Sequence, residues 1–175
     1  MPVLPLPEAG ALLRPFAPAD AAALARHAND RGIWLNLRDR FPHPYSLADA
    51  EAYIAMVSSE EGRRDLHLCV EVAGEAVGSI SLLFKQDVNR RSAEIGYWLG
   101  RAHWGRGIAA AAVQALTGYG FAHYDLARIY AVVFGHNAAS GRVLEKAGFT
   151  LEARLRQAIT KDGQTIDGLL YVQVS

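Results

Sequence analysis

The chain switches between two hydrophobic periods, and each switch marks an element. Ala93 to Leu99 (AEIGYWL) alternates strictly, with Ile95, Tyr97 and Leu99 on one side and Glu94, Gly96 and Trp98 on the other. A period of two in β-forming residues predicts a strand. Gly96 in its middle predicts a bulge or a close backbone approach. Gly100, Gly105 and Gly107 then punctuate a short turn, and the alanine-rich run from Ile108 through Leu116 predicts a strong helix.

The same reading extends along the chain. Ala11 to Phe16 predicts a first strand, and Pro18 to Asp20 opens a helix that reaches about Asn29 with Leu24 on its buried side. Arg31 to Tyr45 has no clean period and carries Trp34, Phe41, His43 and Tyr45; an aromatic loop of this kind either lines a substrate site or caps the core. Ser46, with Asp49 three residues on, predicts the capping box of a helix striped by Ile54 and Val57. Leu66 to Val72 and Ala76 to Phe84 predict a hairpin about Ala73-Gly74-Glu75. With the Ala93 strand they make an antiparallel meander, joined through the polar turn Lys85 to Arg91. Ala127 to Phe134 is nearly continuous in β-branched and aromatic residues, which predicts a central strand buried on both faces. A helix separates it from the Ala93 strand, so the two should be parallel with a right-handed crossover. Asn137 then caps a helix ending near Lys146 and Gly148, and Phe149 to Ile159 and Thr165 to Val174 close the chain as a hairpin about Lys161 to Gly163. The expected class is α/β in the mixed α+β sense: one domain over residues 1–175, with a mostly antiparallel sheet of about six to seven strands and about four helices.

The glycine turn carries the candidate chemistry. Glycines let several backbone N–H groups converge on one spot, and the first turn of the following helix adds unpaired N–H groups and partial positive charge. Together these favour a phosphate or pyrophosphate. Gly105-Arg106-Gly107-Ile108-Ala109-Ala110 also fits a dinucleotide fingerprint, but the next strand ends at Phe134-Gly135-His136 without the required acid. No Gly-Lys-Ser/Thr follows the glycines, which argues against a nucleoside triphosphatase.

Composition narrows the field further. Eighteen basic residues balance eighteen acidic ones, so no bulk charge draws the chain to nucleic acid or to an anionic membrane. Cys69 is the only cysteine, which leaves no intrachain disulfide and suits a reducing cytoplasm. No stretch reads as a signal peptide or a transmembrane span. His43, His103, His123 and His136 lack metal-ligand spacing, and no metal is expected.

Two stretches, AEIGYWLGRAHWGRGIA (Ala93 to Ala109) and HNAASGRVLEKAGF (His136 to Phe149), resemble the GNAT superfamily of acyl-CoA-dependent N-acetyltransferases, and within it the RimJ/RimL-like branch that acetylates ribosomal-protein N-termini. LLRPFAPAD and FPHPYSLADA also fit that branch, and the order of elements matches over nearly the whole chain. The resemblance implies acetyl-CoA as co-substrate, its pyrophosphate on Trp104, Gly105, Arg106, Gly107, Ile108 and Ala109. Trp104 stands where the wider superfamily has Gln or Arg. The resemblance further implies a splayed parallel pair of central strands, with the pantetheine arm lying along the backbone of Tyr97, Trp98 and Leu99. It places Asn137 against the cofactor arm, Glu94 as general base and Ser140 as the group that protonates the leaving thiolate. Leu144 occupies the place where many members carry an acidic tyrosine. Trp34, Phe41, His43 and Tyr45 are the expected acceptor-side residues. The implied acceptor is a protein α-amine, with a small amine such as a polyamine, amino acid or antibiotic as the alternative, in a monomer or homodimer. A non-catalytic acyl-CoA-binding module is a second alternative.

Overall fold

A computed structural model describes residues 1–175. Eight strands form one sheet, in the order β1-β2-β3-β4-β5-β6-β8-β7. They are β1 (Leu4–Leu6), β2 (Ala11–Arg14), β3 (Leu66–Val72), β4 (Glu75–Phe84), β5 (Ser92–Leu99), β6 (Arg128–Phe134), β7 (Thr150–Lys161) and β8 (Gln164–Val174). The helices are α1 (Ala21–Ala28), the single turn α2 (Arg31–Trp34), α3 (Leu47–Ser58), α4 (Ile108–His123) and α5 (Ala138–Lys146). Every pairing is antiparallel except β5 with β6.

Helices cover both faces of the sheet. α1 and α3 bury Ala21, Leu24, Ala50 and Ile54 in one cluster, which Trp98 joins from β5. On the other face α4 inserts Ile108, Val113 and Leu116, each essentially sealed from solvent. Burial of each such side chain contributes ~1.5–3 kcal/mol. The Ser46 capping box forms as expected, with the hydroxyl accepting from the Asp49 N–H and Asp49 accepting from the Ser46 N–H.

Three expectations are corrected. β1 adds a strand that the sequence hid, because Pro5 lies within it and Pro7 follows it; as an edge strand it tolerates a residue without an N–H. β6 is buried on one face only: Ile129, Ala131 and Val133 enter the core while Tyr130, Val132 and Phe134 stay half-exposed. Gly96 makes neither a bulge nor a close backbone approach: the β4–β5 register runs unbroken from Gly78↔Leu99 to Phe84↔Ala93, and an added Cβ would meet only the Ser81 hydroxyl at 3.6 Å.

Candidate active site

The sheet divides between β5 and β6. The two strands pair only at Ser92↔Arg128, Ala93↔Ile129 and Glu94↔Tyr130. From Ile95 to Leu99 the β5 edge facing β6 has no strand partner, an opening of roughly 16 Å at ~3.3 Å per residue. Alternation decides which backbone groups face it. The Arg91 carbonyl accepts from Ala127 and Arg128 at the β6 side, whereas the Ser92 carbonyl accepts from Lys85 and the Gly100 N–H donates to Val77 at the β4 side. Ile95, Tyr97 and Leu99 therefore present their amides to the opening. Trp98 presents its own to β4, where its carbonyl lies 2.4 Å from the position a Cβ on Gly78 would take, so Gly78 is needed for that approach. The contact expected of the Trp98 backbone is thus directed away from the cleft.

At the end of the open edge lies the glycine turn. Gly105 and Gly107 have φ of 74° and 77°, a region costly for other residues. An added Cβ would meet nothing at either position, so conformation and not space demands glycine. Gly107 is the N-cap of α4 and no side chain caps the helix, whose first internal bond runs from the Ala111 N–H to the Gly107 carbonyl. The N–H groups of Ile108, Ala109 and Ala110 are left at an exposed helix mouth. The Arg106 guanidinium beside it has one contact, 3.3 Å to His103 Nδ1. The Trp104 indole N–H donates to the Leu99 carbonyl at 2.6 Å and closes the last free acceptor of β5. Arg101 stacks over the Trp104 ring at 4.9 Å and forks onto Asp30, with both bonds 2.7 Å. That guanidinium, aided by the Gly32 and Ile33 amides, holds the Asp30 carboxyl down to about 2 against the opposing effect of burial.

On the far side of the opening, α5 begins with Asn137, whose Oδ1 accepts from the Ser140 N–H at 3.1 Å and acts as the N-cap. The Ser140 hydroxyl lies 2.7 Å from the Tyr97 phenol oxygen. Burial pushes that phenol up to about 12, although the Ser140 contact pulls the other way. Leu144 is fully buried in the core.

Glu94 points to the α1–α3 face. One carboxylate oxygen pairs with Arg38 and the other with Lys85 at 3.1 Å. The arginines adjacent in sequence do otherwise: Arg90 donates to the Asp87 carbonyl and Arg91 pairs with Asp125. Arg38 comes from the aromatic loop, whose residues divide. Tyr45 is buried in the α1–α3 cluster and Phe41 packs on it and on Trp98, so both cap the core. Trp34 and exposed His43 stack at 5.7 Å at the rim. The sequence reading missed Lys161, which is 3% exposed, sits 3.9 Å from the centre of the Trp34 ring and donates to Asp39 at 2.8 Å. Arg31 bonds Asp162 and His136 bonds Asn36, so the loop is fastened to the β7–β8 turn and to the entrance of α5.

A parted parallel strand pair ending in an uncapped helix mouth suits an elongated ligand that carries a phosphate at one end, as an acyl-CoA does. The acetyltransferase (GNAT) domain family matches residues 11–150, and the chain belongs to it. It is an acetyl-CoA-dependent N-acetyltransferase. Among relatives, the uncharacterized N-acetyltransferase p20 of Bacillus licheniformis is 33% identical over 91% of this chain and 89% of its own length. The ribosomal-protein-serine acetyltransferase of Escherichia coli is 35% identical over 57% of this chain and 55% of its own length. The spermidine N(1)-acetyltransferase of the same organism is 27% identical over 87% and 79%. Among solved structures, Mycobacterium smegmatis RimJ in complex with CoA-disulfide superposes with a TM-score of 0.84 at 28% identity, covering 96% of this chain and 84% of that one. RimL, a ribosomal L7/L12 α-N-protein acetyltransferase in complex with coenzyme A, reaches 0.86 at 23% identity over 99% and 98%, a likeness of fold.

Proposed function

We propose that this enzyme acetylates the N-terminal α-amine of a protein, of the ribosomal-protein type. The observation that carries this reading is the charge at the acceptor mouth. The Arg31 to Tyr45 loop brings three arginines against one aspartate, Lys161 pairs with that aspartate, and Lys85 shares Glu94 with Arg38. Three acids, Asp39, Glu94 and Asp162, are paired with these cations, and five basic groups against three acidic ones leave the mouth positive. A polyamine, itself a polycation, is repelled there, whereas a polypeptide presents one α-amine and many neutral amides. The likeness to RimJ over most of the chain supports the same choice.

Acetyl-CoA supplies the acetyl group as a thioester. Its amides pair with Ile95, Tyr97 and Leu99, its pyrophosphate takes the N–H groups from Gly105 to Ala109 with Arg106 beside them, and the Asn137 amide touches its arm. Glu94 takes the amine proton through a water, because each of its paired oxygens keeps a second acceptor position. An α-amine near 7.8 is roughly a tenth neutral at pH 7, against under a thousandth for a lysine near 10.4, so modest base assistance suffices. The amine nitrogen bonds to the acetyl carbon, the carbon–sulfur bond breaks, and Ser140 meets the leaving sulfur with its hydroxyl. Trp34 and His43 contact the acceptor.

The test is a competition between peptides with free or blocked N-termini and spermidine, read by mass spectrometry. Acetyl groups on free α-amines are expected. Turnover of spermidine with none on any peptide would overturn the proposal.

A further inference from the structure

Ser140 stands alone at the place of the leaving group, and a serine hydroxyl is a poor partner unless its hydrogen is aimed. Its Oγ has one hydrogen-bond partner, the Tyr97 phenol at 2.7 Å. No bond forms back to the preceding helical turn, the usual fate of a serine within a helix. Tyr97 arrives from β5, 43 residues away in sequence, with its ring packed against the main core and so fixed in place. The phenol also lies 3.2 Å from the Ser140 backbone carbonyl, a longer contact.

Each hydroxyl has a single hydrogen, so two arrangements exist. If Tyr97 donates to the carbonyl, Ser140 donates to Tyr97 and turns its hydrogen away from the cleft. If Tyr97 donates to Oγ, the shorter contact, the Ser140 hydrogen is free to face the opening between β5 and β6.

We propose that Tyr97 is a positioning residue that donates its O–H to Ser140 Oγ and thereby aims the Ser140 hydrogen at the sulfur of the departing coenzyme A. This rests on the role given to Ser140 above. Leu144 is sealed in the core and offers no phenol from the helix; here a phenol comes from the strand and acts through a serine. Burial holds the phenol near 12, while a thiol lies near 8.5. A gap of ~3 pKa units means that the phenol keeps its proton and works as a hydrogen-bond donor. No net proton leaves Tyr97 or Ser140. The proton that finally reaches the sulfur is the one the amine gives up, delivered through water.

A donor aimed at sulfur stabilises the thiolate, so it lowers the pKa of the thiol of bound coenzyme A whatever the acceptor is. The experiment titrates that thiol by thiolate absorbance between pH 6 and ~9.5, using coenzyme A bound to the protein and desulfo-coenzyme A as the blank. The protein's own thiol does not interfere, because burial pushes Cys69 up to about 12. The wild-type protein is expected to lower the bound thiol by about one unit, a tenfold preference for thiolate. Ser140→Ala abolishes the shift, Tyr97→Phe removes most of it, and the double variant matches Ser140→Ala. Thermal unfolding of Tyr97→Phe checks that the fold is retained, and Tyr97→Leu offers a second variant that removes the hydroxyl without supplying another donor. A full shift in Tyr97→Phe, with Ser140→Ala abolishing it, overturns the role of Tyr97 and leaves that of Ser140 standing. A full shift in Ser140→Ala overturns both. A residual shift in Ser140→Ala that is lost in the double variant would mean that Tyr97 acts on the sulfur without Ser140, which overturns the positioning role.

Discussion

The donor side and the proposed acceptor side of the cleft are built in opposite ways. The donor side is mostly local: β5, the glycine turn and the mouth of α4 follow one another within Ser92 to His123, and only Asn137 and Ser140 join them from α5. Each part is dictated by its own residues, from the alternation of the strand to the positive φ of Gly105 and Gly107. The acceptor side is assembled from afar. Lys161 reaches Asp39 across 122 positions, Arg38 reaches Glu94 across 56, and Arg31 reaches Asp162 across 131. The difference has a functional sense. Every member of an acetyl-CoA family binds the same donor, so a self-contained module serves, whereas acceptor contacts on a loop fastened by a few polar bonds are altered one at a time.

The strongest test of that division is Glu94, which belongs to both sides. Glu94→Gln keeps the shape and removes the charge. As a general base its loss lowers kcat by about 10²-fold with KM for acetyl-CoA unchanged. If Glu94 only latches Arg38 to the strand, steady-state kinetics will show a raised acceptor KM and an intact kcat.

Gly107→Val comes next. A β-branched residue at φ 77° costs ~1–2 kcal/mol, or about 5- to 30-fold. Calorimetric titration should find that loss in acetyl-CoA affinity while acceptor KM stays put. An equal rise in acceptor KM would mean that the two sides are not separable.

Trp34→Ala acts on the other side only. It removes the ring under Lys161, a cation–π contact of ~0.5–2 kcal/mol, and should raise acceptor KM a few-fold with acetyl-CoA binding unmoved.

The smallest effect concerns the tether between the halves, Arg101 on Asp30. Asp30 titrates near 2 in the folded chain and ~3.9 unfolded, so its contribution is complete above pH ~4 and is lost as pH falls toward 2. Asp30→Asn should therefore flatten the fall in melting temperature over that window and change little at neutral pH. An undiminished acid dependence in Asp30→Asn would exclude the tether as its source.

The same division governs what the sequence reveals. Alternation read Ile95, Tyr97 and Leu99 onto one side of β5, and the strand, turn and helix follow. The parallel β5–β6 pair followed from the helix between them. β1 was hidden because its prolines look like strand breakers, and only its edge position makes them harmless. The exposed face of β6 was hidden because continuous apolarity cannot tell a strand buried on both sides from one bordering a cleft. Tyr45 resembled a ligand-facing aromatic and is core, since composition does not say which way a loop folds. Lys161 gave no signal, being one residue of a polar hairpin turn until the fold lays Trp34 against it. The Tyr97–Ser140 contact likewise exists only once α5 docks beside β5.

The central claim, that the open β5 edge and the α4 mouth hold acetyl-CoA, is tested most directly by thermal unfolding with acetyl-CoA or NADH added separately at about 100 times the expected dissociation constant. Binding at that level contributes ~2.7 kcal/mol, a rise of about 5–11 °C for a chain of this size. The account predicts that rise with acetyl-CoA and none with NADH. A rise with NADH alone would contradict it.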